Sequence, residues 1–276
     1  MSATPPPKPD RVDLFDSTYQ HFTERVHDAI RKATFGTDIG QNSWLTVDEY
    51  DRWLPDLALS ADTHLLEVAC GSGGPALHVA QVTGCRVTGV DINESGIATA
   101  RAAAVRAATG DRVRFERATA DEPLPFAAAA FDALLCIDSM NHFPDRARVL
   151  RDWCRVLRPG GRALFTDPVV ITGPVTNDEL ALRSSIGLFV FVPAEATERF
   201  IADAGFRLLR REDVTNNAAL VSGRWRDARA VHREDLVTIE GQARFDGLQR
   251  FFEAVHVLTS ERRLSRFAYV VERPAA

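Results

Sequence analysis

The chain has 276 residues, of which 45% are apolar and 26% are charged, the balance of an ordinary globular protein. Its formal net charge is −5, so binding to nucleic acid would require a concentrated basic patch. The longest apolar stretch, Ile186 to Val192, is far shorter than the ~20 residues of a membrane-spanning helix. We therefore expect neither a nucleic-acid nor a membrane partner, and the composition leaves the oligomeric state open.

The N-terminal segment, residues 1–12, contains several prolines and lacks the apolar core of a signal peptide, so we expect a disordered tail. The four cysteines are far apart and form no C-x-x-C pair, which predicts neither a zinc site nor a disulfide framework. Free thiols are typical of a reducing compartment, so we expect a cytoplasmic protein without a bound metal. The cysteines are Cys70, Cys85, Cys136 and Cys154.

Apolar residues recur at helical spacing from Leu14 to Ile30, and a second short helix is predicted over Val47–Leu57. From about residue 64 to residue 167, short apolar runs with the length of buried strands alternate with longer helical segments. The predicted strands are His64–Ala69, Arg86–Asp91, Val113–Ala118, Phe131–Ile137 and Arg162–Asp167. The predicted helices are Gly74–Val82, Glu94–Thr109 and Asp145–Leu157. Strands that alternate with helices imply a parallel sheet with helices on both faces.

The chain after the fifth predicted strand is less regular. Residues 168–193 form a long insertion with Pro, Gly and a dense apolar run. The elements predicted beyond it are a helix over Ala194–Ala204, a strand over Phe206–Val214, a helical stripe from Leu248 to Leu258 and a last strand over Arg266–Glu272. The sequence shows no internal repeat and no linker beyond the tail, so we expect residues 13–276 to form a single domain.

The first predicted strand ends in a turn of small residues, 69–74, which opens the next helix. Small residues let the backbone approach a ligand closely and adopt unusual dihedral angles. Ala69, Gly71 and Gly74 match the dinucleotide-binding pattern G-x-G-x-x-G only loosely, and an ordinary strand-to-helix turn also fits. The turn alone therefore does not identify a ligand.

Acidic residues follow three successive predicted strands. Glu67 lies at the end of the first strand, where a carboxylate would repel a pyrophosphate but suit an ammonium or sulfonium group. Asp91 ends the second strand and is placed to accept hydrogen bonds from two ribose hydroxyls. Asp121 follows the third strand, where it could bind an adenine amino group. Each acid alone could cap the following helix, but all three share the carboxyl edge of one sheet, where open α/β sheets bind ligands.

Four features in order along the chain are Glu67-x-Ala-Cys-Gly-Ser-Gly-Gly74, Asp91, Ala120-Asp121 and Val156-Leu-Arg-Pro-Gly-Gly161. Together they resemble the motifs of class I S-adenosylmethionine-dependent methyltransferases, in detail over residues 60–170 and in outline elsewhere. Ala69 stands where the family often has its first glycine, a change between small residues. The resemblance implies an α/β, Rossmann-like fold with a seven-stranded, mostly parallel sheet whose last strand runs antiparallel. It also implies S-adenosyl-L-methionine as the cofactor.

Carried over by position, the resemblance implies roles for individual residues. Glu67 would face the methionine amino group, and Asp91 would face the ribose. Ile92 would pack on the adenine, and Asp121 would meet the adenine amino group. The other candidate cofactor contacts are Ala69, Gly71, Gly73, Ala120, Cys136 and Trp44. Residues 13–60 would form an N-terminal helical lid, 61–167 the cofactor-binding core, and 168–276 a substrate cap that also completes the sheet.

The segment after the fourth predicted strand, 136–146, holds the candidate catalytic residues. Methyl transfer mainly needs alignment and exclusion of water, and it needs a general base only when the nucleophile arrives protonated. His142 is the first candidate base, because an unperturbed imidazole titrates near pH ~6.5. Asp167 ends the fifth strand and could orient His142 in a base–carboxylate pair. A histidine that only hydrogen-bonds the backbone is the alternative, and Asp138 and Asn141 are further candidates for the base or for substrate binding.

The same segment differs from two groups of nucleic-acid methyltransferases. Enzymes that methylate exocyclic amino groups of bases usually carry an Asn/Asp-Pro-Pro-aromatic tetrad here, and Asp138-Ser-Met-Asn141 is different. Cys136 follows Leu135, so it is not the Pro-Cys nucleophile that base C5 methylation needs. A small-molecule substrate is therefore favoured over a nucleic acid.

The insertion after the fifth strand carries Phe189 and Phe191, and an apolar lining predicts a small, partly hydrophobic substrate. Residues 207–233 hold seven arginines and three acids, which could bind an anionic substrate group or form a solvated helix face. We expect methyl transfer to a small metabolite of specialised metabolism, with the acceptor atom (O, N or C) undecided. The alternative is a cofactor-binding protein without methyl transfer, with a cyclase-like or sensor role.

Overall fold

A computed structural model of the chain describes residues 18–120 and 122–275. The predicted tail, residues 1–12, and the candidate adenine ligand Asp121 lie outside the described residues.

The centre of the described fold is an eight-stranded sheet. Its strands are β1 (His64–Val68), β2 (Arg86–Asp91), β3 (Val113–Arg117), β4 (Phe131–Cys136), β5 (Leu157–Ile171), β6 (Val192–Pro193), β7 (Arg207–Asp213) and β8 (Leu264–Glu272). Their order is β3-β2-β1-β4-β5-β8-β7, and β6 pairs with β5 beside this path. The predicted mostly parallel α/β sheet with an antiparallel last strand is confirmed, since β8 runs antiparallel to both β5 and β7. The predicted strand number of seven omits the two-residue strand β6.

The strand order reverses at β1, which lies between β2 and β4. The chain runs outward from β1 to β3 and then returns to the other side of β1, so the connections from the two neighbouring strands leave in opposite directions. Such a reversal opens a crevice beyond the carboxyl ends of the strands, which is the usual ligand site of an open parallel sheet.

Ten helices are resolved within the described residues. They are α1 (Arg25–Phe35), α2 (Val47–Trp53), α3 (Gly74–Thr83), α4 (Glu94–Arg106), α5 (Arg146–Val156), α6 (Asn177–Arg183), α7 (Ala196–Asp203), α8 (Thr215–Val231), α9 (Arg233–Glu240) and α10 (Gln242–Ser260). The helical stripe predicted from Leu14 to Ile30 is wrong as one continuous helix, because the chain turns at residues 21–24 before α1 begins. None of the described helices is both long enough and apolar enough to cross a membrane.

Both faces of the sheet are covered by helices, as the alternating pattern predicts. On one face, Leu66 and Leu134 share a buried cluster with Trp153 of α5. On the other face, Leu65 and Ala133 pack in a second buried cluster, which includes side chains of α2, α3 and α4. Successive strand residues point to opposite faces, so a parallel strand that is covered on both sides is mostly apolar along its length. This explains the apolar residues Leu65 and Leu66 of β1 and Ala133–Cys136 of β4, whereas the buried Glu67 of β1 is an exception.

The N-terminal segment and the helices that follow β5 pack against each other in a third cluster. Trp44 from the segment before α2 contacts Phe252 of α10 edge-on, with ring centres 6.2 Å apart. Phe252 also stacks on Trp225 of α8 at 5.4 Å, and Ile186 from the insertion joins the same cluster. Segments from opposite ends of the sequence therefore pack into one apolar cluster. We call the cap the segments that contribute Trp44, Ile186, Trp225 and Phe252 to this cluster.

Gly73 offers a test of the turn between β1 and α3. Its φ is +79°, and an added Cβ would lie 2.6 Å from the Phe115 ring and 2.8 Å from the Ala100 Cβ. We expect Gly73→Ala to lower the free energy of unfolding by about 2–4 kcal/mol, from backbone strain and overpacking together. Urea unfolding of the cofactor-free protein measures this change. Gly110→Ala is the matched control, since φ is +58° there but no atom lies within 4 Å. Equal losses in the two variants would contradict the steric part of this explanation.

Candidate active site

A cavity of about 950 Å³ lies at the crevice beside β1, a size typical of a site that encloses a small molecule. One part of its wall comes from the carboxyl ends of β1 and β2 and from the segments that follow β3 and β4. The other part comes from the cap. The residues that line the cavity include Tyr19, Trp44, Glu67, Ala69, Gly71, Asp91, Ile92, Ala120, Asp138, Asn141, His142, Arg183, Phe189, Phe251 and Phe252.

The turn after β1 has an unusual backbone, as its small residues predict. Ala69 has a φ of +59°, a conformation that is strained for a residue with a Cβ, and Gly71 has a φ of +52°. A side chain at Gly71 would overlap the Tyr19 hydroxyl, so the described N-terminal segment lies directly on this turn. Ala69 and Gly71 line the cavity, whereas Gly73 faces Phe115 and is not among the lining residues.

Glu67 carries a buried carboxyl group in the cavity wall. Its side chain is in the penultimate position of β1 and only 2% exposed, and no group among the described residues donates a hydrogen bond to its Oε2. Burial raises the pKa of this carboxyl to about 8, and the nearby charge of Asp91 raises it further. A buried carboxylate without a partner is unfavourable. The position is therefore suited to a cationic or hydrogen-bond-donating group of a ligand.

Asp91 ends β2 next to the turn. Its Oδ2 accepts a hydrogen bond from the Gly71 amide at 2.8 Å, and its Oδ1 accepts one from the Asn93 amide at 2.8 Å. Each carboxylate oxygen has a second lone pair, so Asp91 can still accept hydrogen bonds from a ligand. Ile92 is 61% exposed at the cavity mouth, and Ala120 also lines the cavity.

Cys136 is the one predicted cofactor contact that is fully enclosed in the core. It is the last residue of β4, is 0% exposed, and packs in the same cluster as Leu134 and Trp153. It does not belong to the cavity lining, whereas the next residue, Ile137, does. Because side chains alternate along a strand, the Cys136 side chain faces the helix layer, and the cofactor contact predicted for this residue stays a prediction.

Asp138 follows β4 with a φ of +51° and lies in the cavity wall, where three groups of the protein hold its carboxylate. Its Oδ2 accepts a hydrogen bond from the Trp44 amide at 2.8 Å, and its Oδ1 accepts hydrogen bonds from the Thr166 hydroxyl at 2.7 Å and from Arg266 Nε at 2.7 Å. Arg266 also pairs with Glu49 at 2.6 Å. These contacts give Asp138 a structural role, and its catalytic role stays a prediction. Its contacts make it a residue that positions Trp44.

The predicted pair of His142 and Asp167 is not formed. Asp167 is 0% exposed, and its Oδ2 accepts hydrogen bonds from Arg146 of α5 and from Thr197 of α7, the latter at 3.2 Å. Arg146 is itself buried, so its ion pair with Asp167 compensates both charges inside the core. Asp167 therefore does not orient His142 in this structure, because Arg146 of α5 and Thr197 of α7 bind its carboxylate.

His142 lines the cavity as a neutral imidazole. Its Nδ1 lies 2.9 Å from the Leu188 carbonyl oxygen, and because a carbonyl only accepts, Nδ1 carries the proton. The lone pair therefore lies on Nε2, which accepts a hydrogen bond from the Asn141 amide at 3.2 Å. Burial lowers the pKa of His142 to about 4, and the nearby cations Arg183 and Arg146 lower it further. The imidazole is thus uncharged and able to accept a proton at neutral pH.

Arg183 is a lining residue that the sequence analysis missed. It ends α6 in the insertion and is 2% exposed. The signal that could have located α6 is the capping box formed by Thr176 and Glu179. The arginine-rich segment 207–233, considered above as a site for anions, mainly forms ion pairs within the protein. Examples are Arg207 with Glu272 at 2.6 Å, Arg211 with Glu198 at 2.9 Å and Arg229 with Glu240.

Metal ligation is not evident in the part of the chain that the structure describes. Within residues 18–120 and 122–275, no group of three or more His, Cys, Asp or Glu side chains is arranged to hold an ion. Among the cysteines, Cys70, Cys85 and Cys136 are buried free thiols, and Cys154 is a partly exposed free thiol.

The families and proteins that this chain resembles in sequence include methyltransferases, in agreement with the geometry of the cavity. Residues 66–165 match the model of a family described as a methyltransferase domain. The chain is also 35% identical over 168 residues to a 27-O-demethylrifamycin SV methyltransferase from Amycolatopsis mediterranei (strain S699). That match covers 60% of this chain and 61% of the relative, so the chain spans about three fifths of the length of this protein.

Solved structures share the fold over nearly the whole chain. The cyclopropane synthase MmaA2 from Mycobacterium tuberculosis superposes with a TM-score of 0.79 at 17% identity, covering 94% of this chain and 96% of that one. A [4+2]-cyclase, SpnF, superposes with a TM-score of 0.74 at 24% identity, covering 95% and 94%. At these identities the likeness shows the fold alone, and the fold serves reactions of more than one kind.

The raised pKa of Glu67 makes the stability of the cofactor-free protein depend on pH. Between the ordinary value of 4.5 and about 8, the unfolded chain has released this proton and the folded chain still holds it. Folding then takes up a proton, so the free energy of unfolding falls as the pH rises through this range. We expect Glu67→Gln to remove this part of the decrease in the free energy of unfolding, so that near pH 8 the variant is more stable than the wild-type protein.

Urea unfolding of the wild-type protein and the variant at about pH 5 and about pH 8 measures the effect. Glu116→Gln on β3, where the carboxylate is partly exposed beside Arg114, is the matched control and should keep the wild-type slope. Parallel slopes for the wild-type protein and Glu67→Gln would show that Glu67 is ionised in the folded protein throughout this range.

Proposed function

We propose that this chain is a class I S-adenosylmethionine-dependent methyltransferase, which the match of residues 66–165 to a methyltransferase-domain family supports. The acceptor is a small, partly apolar metabolite. The observation that carries the proposal is the pairing of two features in one cavity. An unpartnered buried carboxyl, Glu67, lies beside Asp91 at the strand ends, and a neutral imidazole, His142, lies in the same cavity. The first feature suits a cationic cofactor, and the second suits a proton-bearing acceptor.

S-adenosylmethionine fits the groups that line the strand ends. The buried Glu67 Oε2 would accept hydrogen bonds from the methionine ammonium group, which would supply the partner that the described residues do not. Asp91 would accept hydrogen bonds from the ribose hydroxyls with its remaining lone pairs. The glycine turn leaves room for close approach at Gly71, and Ile92 and Ala120 offer apolar surface at the mouth. When bound, the cofactor supplies a methyl group on a positively charged sulfur.

His142 would act as the general base for a hydroxyl or amine acceptor. The Leu188 carbonyl fixes the tautomer, so the Nε2 lone pair faces the cavity side of the ring. The hydrogen bond from Asn141 to Nε2 is long, at 3.2 Å, and an acceptor O–H or N–H that donates to Nε2 would replace it. Asn141 Oδ1 is buried without a partner among the described residues, so it can accept a second hydrogen bond from the substrate.

The cap would exclude water and select the substrate. Trp44, Phe189, Phe251 and Phe252 place four aromatic rings in the cavity wall, which favours an aromatic or otherwise flat apolar substrate. The backbone of Trp44 is held by Asp138 and Asn217, so this wall is fixed in position. A cap of this kind and the acidic net charge favour a small molecule over a nucleic acid. The free thiols favour a cytoplasmic location.

Substrate-dependent release of S-adenosylhomocysteine tests the proposal. The purified protein is incubated with S-adenosylmethionine and a set of phenolic, carboxylic and amine metabolites, and the product is quantified by mass spectrometry. We expect turnover with at least one class. Asp91→Ala should weaken the binding of S-adenosylhomocysteine at least about tenfold, since a hydrogen bond to a charged group contributes about 1.5–3 kcal/mol. Asp235→Ala on α9 changes an exposed acid and should leave the affinity unchanged. Tight binding with no turnover on any class would instead favour a cyclase-like or sensor role.

His142→Ala tests the general base. We expect kcat to fall about 10²–10⁴-fold, the usual contribution of general acid–base catalysis, with unchanged affinity for S-adenosylhomocysteine. Because the pKa of His142 is lowered to about 4, the wild-type kcat should show no step near the ordinary imidazole value of 6.5. His256→Ala is the matched control, since this histidine also bonds a backbone carbonyl, at 2.9 Å, but lies outside the cavity lining. Full activity of His142→Ala would show that the acceptor needs no base or that another group supplies it.

A further inference from the structure

Arg183 occupies an unusual environment at the cap end of the cavity. Its guanidinium carbon lies 4.7 Å from the ring centre of Phe189, 5.1 Å from that of Phe251 and 5.9 Å from that of Trp44. The residue is 2% exposed and belongs to the cavity lining. Three aromatic rings therefore surround a buried cation that faces the cavity.

Among the described residues, no acidic or carbonyl group is a partner of this cation. Its Nη1 is buried without a hydrogen-bond partner, and the described residues provide no ion pair for the guanidinium. The surrounding rings attract the charge through their faces, but they provide no acceptor of ordinary strength for five N–H donors. Burial lowers the pKa of Arg183 to about 9, so the group remains charged at neutral pH. The protein thus keeps a buried positive charge whose hydrogen-bonding capacity is unused.

The neighbouring acids are not available to compensate it. Asp138 is the acid whose charge acts most on Arg183, but Asp138 is already bound by Arg266, by Thr166 and by the Trp44 amide. Other buried arginines of the chain do have carboxylate partners, such as Arg146 with Asp167 and Arg229 with Glu240. Arg183 differs from them because residues 18–120 and 122–275 provide no carboxylate partner for its guanidinium.

We propose that Arg183 binds a negatively charged oxygen group of the substrate, a carboxylate or a phenolate, within the aromatic wall of the cap. The proposal rests on the methyl-transfer function proposed above and narrows its substrate class to acidic, flat, apolar molecules. A guanidinium presents a planar fork of donors that matches two oxygen lone pairs. The rings of Phe189 and Phe251 would flank the apolar body of the same molecule.

Two simple probes distinguish the two sources of the charge. Benzoate carries a permanent carboxylate, and 4-nitrophenol forms a phenolate that is visible by absorbance. Each is titrated into the protein saturated with S-adenosylhomocysteine, with benzamide as the neutral analogue of benzoate. We expect at least one of the two anions to bind. Either benzoate binds at least tenfold more tightly than benzamide, or bound 4-nitrophenol shows a larger phenolate fraction than free 4-nitrophenol at the same pH. Selectivity for benzoate assigns a carboxylate substrate, and stabilised nitrophenolate assigns a phenol.

Arg183→Met keeps the length and apolar contacts of the side chain and removes the charge. We expect it to abolish the preference for the anion while leaving the affinity for S-adenosylhomocysteine unchanged. Its Tm should stay equal or rise, since an unpartnered buried charge is removed. Arg233→Met is the matched control, because Arg233 also lies over an aromatic ring, that of Phe245 at 5.6 Å, but on the exposed surface of α9. That variant should retain the anion preference.

Two results would overturn the proposal without affecting methyl transfer. One is anion binding by Arg183→Met that equals the wild-type binding. The other is a wild-type protein that binds S-adenosylhomocysteine but does not prefer either anion, a result that requires no variant to fold. A large fall in the Tm of Arg183→Met would show that Arg183 stabilises the cap instead. Failure of the wild-type protein to bind S-adenosylhomocysteine would contradict the proposed function itself.

Discussion

The cavity depends on one buried cation, Arg266. Its side chain is 0% exposed and donates hydrogen bonds to Asp138 at 2.7 Å and to Glu49 at 2.6 Å. A buried charge is tolerated only with partners, so these two carboxylates are required at this point. They bring together β8, the segment after β4 and α2, since Arg266 lies 128 residues after Asp138 and 217 residues after Glu49 in sequence. Asn217 of α8 extends the network, since its amide donates to Glu49 and to the Trp44 carbonyl. The N-terminal segment and the cap are thereby attached to the carboxyl edge of the sheet.

The polar groups around this network fall into two kinds. Asp138 and Asp167 have their lone pairs occupied by arginine and hydroxyl donors inside the protein, and both act on the fold. Glu67, Asn141 and Arg183 are equally buried and face the cavity, but each has an atom without a partner among the described residues. Unsatisfied buried groups destabilise a protein unless something binds them. Arg146 and Arg266 also each have one nitrogen without a partner among the described residues, but both form ion pairs within the protein and neither lines the cavity. A position in the cavity wall together with an unpartnered atom therefore distinguishes the residues that face a ligand from those that hold the site together.

The sequence predicts the cofactor half of the site well, because its signals are local. The strand from His64, the small-residue turn and the acids Glu67 and Asp91 lie within about thirty residues, and parallel pairing of β1 with β2 brings them together. The catalytic and cap residues depend on long-range pairing instead. Nothing near Asp167 in sequence indicates that Arg146 takes its carboxylate, and Asp138 is bound by residues 94 positions before it and 128 after it. Arg183 lies in a short helix within an apolar insertion, where one cation is less conspicuous than the arginine-rich segment that follows.

The acidic Glu67 and the basic Arg183 line one cavity without forming a pair, and this separation requires an explanation. Ionisation of Glu67, whose pKa is raised to about 8, would create two opposite charges that attract strongly in a medium of low dielectric, so a flexible cavity would close around them. Here each is attached to a different rigid element. Glu67 is fixed on the central strand β1, paired on both sides, and Arg183 is enclosed by Trp44, Phe189 and Phe251. Trp44 is in turn held through Asp138 by Arg266. The buried network thus keeps an acidic end and a basic end apart in one cavity, so that each end is available to a ligand of opposite charge.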